Sequence, residues 1–216
     1  MLRLAATLCL LAAPAWATGL EIDMEGDAQG TIVIDLLEEV APQHVERITT
    51  LAAEGAYDDV VFHRVIEGFM AQTGDVEFGV MGMDMRYAGR GGSEYPDLPA
   101  EFSDIPYERG IVGMARAQDP NSANSQFFIM FAPAPPLDGQ YTVVGRVVAG
   151  MDVVDAIKRG TGRNGAVIGP PDRMTALRLR EDVAWHRATP STADDVVFAF
   201  DQIVTNPEAR AGDAAS

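Results

Sequence analysis

The sequence predicts a mainly β protein, a small antiparallel barrel carrying two helices. Three observations predict it: many short alternating or β-branched runs, Gly/Pro-marked turns between them, and two stretches with helical spacing. The 216 residues are 47% apolar, which suits one domain with a sizeable core and an appendage.

The elements follow in order. Leu20 to Glu25 alternates strictly, and Thr31 to Leu36 is alternating and β-branched. The two read as a hairpin across Gly26 to Gly30. Pro42 opens a helical pattern with Val45, Ile48, Leu51 and Ala52 on one face and Gly55 just past its end. Val60 to Ile66 reads as a strand, and Gly68 to Thr73 continues into another. Between residues 76 and 100, Gly79, Gly82, Gly89, Gly91, Gly92, Pro96 and Pro99 punctuate a long loop, and loops of that length usually serve function. Ile111 to Ala115, Gln126 to Phe131 and Tyr141 to Val148 are three further strands. Met151 to Lys158 is a short helix ended by Gly160, and Thr175 to Arg180 closes the strand set.

Both ends differ from this body. Residues 1–17 carry Arg3, an apolar run from Leu4 to Pro14 and an Ala15-Trp16-Ala17 cleavage site, the three parts of a secretory signal peptide. That apolar run is too short to span a bilayer. Removing it removes Cys9, the one cysteine, so no disulfide is expected despite an export route that permits one. The folded domain is expected over residues 18–182. Residues 183–216 form an extension, with a linker near Thr189, one amphipathic helix from Val196 to Val204 and a disordered end. In a bacterium the signal directs the chain to the periplasm.

The formal net charge is −16. Nucleic acid and anionic membranes need a basic footprint, so neither is an expected partner. The acids are unevenly spread. Residues 18–59 hold 11 acids and one arginine, and residues 181–216 hold seven acids and two arginines. Residues 60–180 are nearly balanced, with 14 acids and 12 bases. The surplus therefore reads as a solubilising exterior around a more neutral centre.

No catalytic triad, metal motif or phosphate loop appears. His44, His63 and His186 lie far apart, with no second ligand at metal spacing. Met81, Met83 and Met85 recur at every second position. Thioethers suit Cu(I), but methionine is mainly a gap filler, so these are expected to pack the loop onto the barrel.

The informative stretch is Phe62-His63-Arg64, then Gly68-Phe69-Met70, Gln72 and Gly74-Asp75. A second block runs Gly110-Ile-Val-Gly-Met-Ala115, then Asn124-Ser-Gln126-Phe127-Phe128-Ile129. A third runs Leu137-Asp138-Gly139, Tyr141 to Val147 and Gly150 to Asp155. In this order and spacing the three blocks resemble the cyclophilins, and the Gly-rich loop with Gly92-Ser-Glu-Tyr-Pro96 looks like their bacterial exported branch.

The resemblance implies a closed eight-stranded antiparallel barrel capped by two helices, and peptidyl-prolyl cis–trans isomerase activity on proline-containing polypeptides folding in the envelope. It calls for no cofactor or metal, and a monomer is expected. Matched residue by residue, the catalytic arginine falls on Arg64, the proline pocket on Phe69, Met70, Phe128 and Leu137, the polar contacts on Gln72 and Gln126, and the backbone strip on Ala115 and Arg116. Tyr141 takes the place of a histidine wall residue, Arg116 stands where Asn is common, Thr73 replaces a usual Gly, and Pro136 replaces a Trp important for cyclosporin binding.

The chemistry agrees with those roles. X–Pro isomers lie within about 1 kcal/mol of each other, but resonance sets a barrier of about 18–20 kcal/mol between them. A catalyst must favour the twisted amide over both planar ones, and a rigid guanidinium donor can do so without a nucleophile or proton relay. Two other readings stand beside this one. Arg64 could be a strand arginine paired with Glu67 or Asp75, and the groove could bind peptides as a non-catalytic holdase. Because neighbours on a strand face opposite sides, Phe127 is expected in the core and His63 away from Arg64.

Overall fold

The structure is a computed structural model, and it describes residues 19–180. The expected signal peptide and the extension, with its helix from Val196 to Val204, lie outside the described residues. Eight strands form one antiparallel sheet: β1 (Gly19–Glu25), β2 (Gly30–Leu36), β3 (Arg64–Ile66), β4 (Met70–Thr73), β5 (Ile111–Met114), β6 (Phe127–Met130), β7 (Val143–Ala149) and β8 (Arg173–Arg180). Their order across the sheet is β3-β4-β6-β5-β7-β2-β1-β8. Two helices, α1 (Pro42–Ala53) and α2 (Met151–Ala156), and a 3₁₀ turn at Pro135–Leu137 complete the elements among the described residues.

Alternation decides what each strand buries. Leu20, Ile22 and Met24 of β1 point into the core with Ile32, Ile34 and Leu36 of β2. Glu21, Asp23 and Glu25 point outward, where they meet Arg180, Arg178 and Arg173 of the neighbouring β8 in a ladder of cross-strand ion pairs. Helix α1 covers the core with the expected Val45, Ile48, Leu51 and Ala52, and also with His44. It ends at Gly55, whose φ of 69° suits glycine. Gly55 N–H donates to Ala52 O and Ala56 N–H to Leu51 O, a Schellman closure.

The expected closed barrel is an open half-barrel. Its edge strands β3 and β8 do not pair with each other. The run expected as one strand from Val60 to Ile66 is a strand only from Arg64. Its first half is held by single bridges to separate loops: Val60 opposite Val80, and Val61 opposite Arg173. Val61 N–H donates to Gly79 O and Phe62 N–H to Asp172 O, so no one neighbour can continue a ladder there. Helix α2 also stops short, at Ala156 rather than at Lys158.

The expected long loop carries no helix or named strand from Gly74 to Gly110, yet polar anchors hold it. The buried Asp75 carboxylate accepts from the N–H groups of Glu77, Phe78, Gly89 and Gly91. Asn124 Oδ1 accepts from Ser93 N–H and Oγ. Of the three methionines, Met81 and Met85 are partly buried, while Met83 is half exposed and does not pack the loop down. Among the described residues no helix is long and apolar enough to cross a membrane.

Glu101 joins this loop to α1. Ala41, at the helix start, has no side chain to cap it. Glu101 supplies the carboxylate instead, accepting from Gln43 N–H at 3.2 Å and His44 N–H at 3.1 Å. It also sits 2.6 Å from His44 Nδ1. Burial lowers the His44 pKa, against the pull of Glu101, so the imidazole is neutral and donates from Nδ1. Burial alone would raise the Glu101 pKa, but bonds from His44 and Gln43 outweigh it and lower it. Glu101→Ala is expected to cost about 1–2 kcal/mol, the usual worth of a lost N-cap with its charge at the helix dipole. Urea denaturation checks this, and an unchanged midpoint would refute the capping role.

Candidate active site

Strands β4, β5 and β6 carry apolar side chains on both faces, which makes room for a second apolar cluster outside the main core. Ala71, Thr73, Val112, Met114, Phe127 and Ile129 face inward. Met70, Phe128 and Met130 face the other side, with Tyr107 and Val143, and Phe69, Leu137 and Tyr141 pack at their edge. Phe127 is thus a core residue, as alternation requires. The hairpin β3–β4 turns at Gly68 with φ of 68°, closed by Phe69 N–H to Ile66 O. It places Arg64 opposite Gln72 in register.

A pocket of about 160 Å³ opens on this second cluster, lined by Arg64, Phe69, Met70, Gln72, Ala115, Arg116, Phe128, Leu137 and Tyr141. These are nine of the ten residues expected from the sequence, and their volume suits a small ring. Gln126 is the tenth. It lies just outside, in an adjoining cavity of about 370 Å³ that shares Gln72, Ala115 and Arg116 with the pocket.

The polar side of the pocket is a relay. Arg64 Nη1 donates to Gln72 Oε1 at 3.1 Å, Gln72 Nε2 to Gln126 Oε1 at 2.9 Å, and Gln126 Nε2 to Gly91 O at 2.8 Å. Arg64 Nε donates to Asn164 O at 2.9 Å. The guanidinium is thus held from two sides, and its Nη2 has no hydrogen-bond partner among the described residues. The alternative ion pairs are not made: Glu67 pairs with Arg159, and Asp75 is taken by backbone N–H groups. Partial burial lowers the Arg64 pKa somewhat, with Tyr141 opposing, which still leaves an arginine charged at neutral pH.

The apolar side is an aromatic stack. Phe128 lies on Tyr107 with centroids 5.7 Å apart and meets Tyr141 edge-on at 5.9 Å. The Arg116 guanidinium covers the outer face of Tyr141 at 4.3 Å. It is fixed there by donating to the carbonyls of Ala117, Gln118 and Gln140. On the backbone strip, Ala115 N–H is already bonded to Gln126 O. The Arg116 N–H and C=O are left without partners among the described residues, as a peptide-pairing strip requires.

Sequence reasoning missed three contributors. Tyr107 lies in an irregular segment with no pattern to flag it, and burial pushes its phenol pKa up. Asn164 acts through its backbone, which no side-chain motif reveals. Gly113 was visible in the second block but read only as a strand residue. His63 faces away from Arg64, as expected, and helps to line a separate cavity of about 310 Å³ with Met85, Arg90 and Asn164. Burial lowers its pKa to about 4, against Asp75, so it is neutral at pH 7.

Comparison with known proteins agrees with this geometry. The family model described as cyclophilin type peptidyl-prolyl cis-trans isomerase/CLD matches residues 21–178. A probable peptidyl-prolyl cis-trans isomerase of Brucella suis is 57% identical over 155 residues, covering 71% of this chain and 79% of the relative. A Schizosaccharomyces pombe peptidyl-prolyl cis-trans isomerase is 44% identical over 128 residues, covering 57% and 76%. The solved structure of a Cryptosporidium parvum cyclophilin-type peptidyl-prolyl cis-trans isomerase superimposes with a TM-score of 0.65 at 25% identity, covering 77% of this chain and 99% of that one.

Gly113 gives the sharpest test of the pocket floor. A Cβ there would lie 2.3 Å from Tyr107 Oη and 2.7 Å from Phe128 Cζ. Gly113→Ala is therefore expected to push both rings off the sheet, costing about 1–3 kcal/mol of stability by overpacking and weakening peptide binding. Chemical denaturation and peptide titration check the pair of effects, and a variant with native affinity would show that the floor is not where the stack places it.

Proposed function

The chain belongs to the cyclophilin-type peptidyl-prolyl cis–trans isomerases, and we propose that it is an exported bacterial member, acting as a monomer on X–Pro bonds of proteins folding in the envelope. The observation that carries the reaction is Arg64 Nη2, a charged donor without a hydrogen-bond partner among the described residues, at the wall of an apolar pocket. Phe69, Met70, Phe128, Leu137 and Tyr141 hold the proline ring and exclude water, while Gln72, Gln126 and the Arg116 backbone hold the chain beside it.

As the amide twists, the proline nitrogen loses conjugation and gains a lone pair that accepts a hydrogen bond. Neither planar isomer offers that acceptor. A guanidinium already fixed by Gln72 and Asn164 meets the lone pair without reorganising, so its interaction is stronger in the transition state than in either ground state. The same reasoning favours an enzyme over a holdase, since binding alone needs no positioned donor. The export reading rests on the tripartite pattern of residues 1–17, and the bacterial one on the Brucella relatives.

Arg64→Ala is expected to lower kcat/KM by about 10²–10³, the usual cost of one transition-state donor, with the circular dichroism spectrum unchanged. NMR exchange on a proline peptide measures it without a coupled protease, and undiminished exchange would remove Arg64 from catalysis. Catalysis passes no proton, Arg64 stays charged and His63 titrates near pH 4 outside the pocket, so kcat/KM should be flat between about pH 6 and 8. A bell-shaped profile there would point to a different mechanism. For export, mass spectrometry of the chain from a periplasmic extract should find Thr18 as the first residue; a chain confined to the cytoplasm and retaining Met1 would refute it.

A further inference from the structure

The proline pocket and the cavities that Arg90 lines hold four arginines and one carboxylate, whereas the next cavity along, which shares Gly92 and Ser93, is lined by Glu54, Glu77 and Glu94. Arg86, Arg109, Arg146, Arg159, Arg173, Arg178 and Arg180 each pair with a carboxylate. The arginines lining the proline pocket and its two neighbouring cavities are Arg64, Arg86, Arg90 and Arg116. Among the described residues only Arg86 of these is in an ion pair, with Asp84. Asp97 is the one carboxylate lining these cavities, and its Oδ1 is taken by Asn124 Nδ2.

The unpaired three differ in how committed they are. Arg64 is fixed by Gln72 and Asn164, and Arg116 by three carbonyls and the Tyr141 face. The Arg90 guanidinium makes no hydrogen bond to a described residue and rests against the Tyr87 ring, 5.9 Å from the centroid, while its backbone N–H donates to Tyr87 O. It also lines both neighbouring cavities, the one holding Gln126 and the one holding His63.

A peptide whose proline fills a pocket of about 160 Å³ must continue beyond it. The cavity that shares Gln72, Ala115 and Arg116 is open to a neighbouring side chain. We propose that Arg90 is a specificity-determining residue that favours clients with an acidic side chain close to the isomerising proline. The inference rests on the reading that proline occupies the Arg64 pocket. It concerns a local contact, because the chain's net negative charge repels acidic peptides at a distance and is screened beyond about 8–10 Å at physiological salt.

The experiment uses the full chain and peptides with one X–Pro bond, placing Glu in turn at each of the three positions on either side of the proline, each matched to a Gln peptide. The readout is the Glu/Gln ratio of kcat/KM at each position, measured by NMR exchange. In the wild type the ratio should reach about 2–5 at one position or two adjacent ones, the range of a solvent-exposed ion pair. It should fall to about one in Arg90→Gln, and below one in Arg90→Glu, where a Lys peptide should become the better substrate. A wild-type ratio of one at every position, or a preference that persists in Arg90→Gln, overturns the proposal. No turnover of any peptide by the wild type would instead overturn the reading of the pocket itself, which separates the two failures.

Discussion

Residues 127–130 are apolar at every position, and the sheet buries both of their faces. Phe127 and Ile129 belong to the core inside the half-barrel, while Phe128 and Met130 support the groove outside it. The rest of the site depends on this double burial. It lets the floor of the pocket stand on sheet strands, with loop residues forming the rest of its wall. It also ties the groove to stability, because the strands that hold the core are the strands that support the pocket. Gly113 is the local condition for it: only a residue without a side chain leaves the space in which Tyr107 and Phe128 stack against the sheet.

Polar groups take over where strands stop. The segment from Gly74 to Gly110 has no ladder to satisfy its backbone, and buried N–H groups left unpaired are costly. Asp75 answers that cost within the loop and Asn124 from a second loop, while Glu101 of the same segment satisfies N–H groups at the start of α1. Gly91 then offers its carbonyl to Gln126, so the loop fixed by Asp75 also ends the relay that begins at Arg64. The donor geometry at the pocket is in this way continuous with the anchoring of a loop far along the chain.

The acidic surplus has a partly different meaning in three dimensions. Residues 18–59 carry ten more acids than bases, which in sequence reads as a solvated exterior. Three of those acids, Glu21, Asp23 and Glu25, face arginines of β8, more than 140 residues away, and line the outside of the β1–β8 pair. Exposed pairs of this kind contribute little singly, but they set register and keep like charges apart on adjacent strands. At the groove, Arg64, Arg90 and Arg116 have no carboxylate partner among the described residues.

The sequence by itself determined the strand set, the faces of α1 and, through three ordered blocks, the wall of the pocket. Those features are written in local periodicity and in residue types whose chemistry allows few alternatives, such as Phe62-His63-Arg64 followed by Gly68-Phe69-Met70. Local pattern also placed Phe127 and Phe128 on opposite faces correctly. It failed at Val60 to Phe62, where a β-branched run looks like a strand but meets a different loop at each residue, and so it failed to show that the barrel is open. Tertiary structure alone decided that Tyr107 lies under Phe128, that Glu101 caps a helix it does not belong to, and that Asn164 O holds Arg64. Each of these joins residues far apart in the chain through a backbone atom or a side chain with no periodic neighbours, and sequence spacing carries no record of such a meeting.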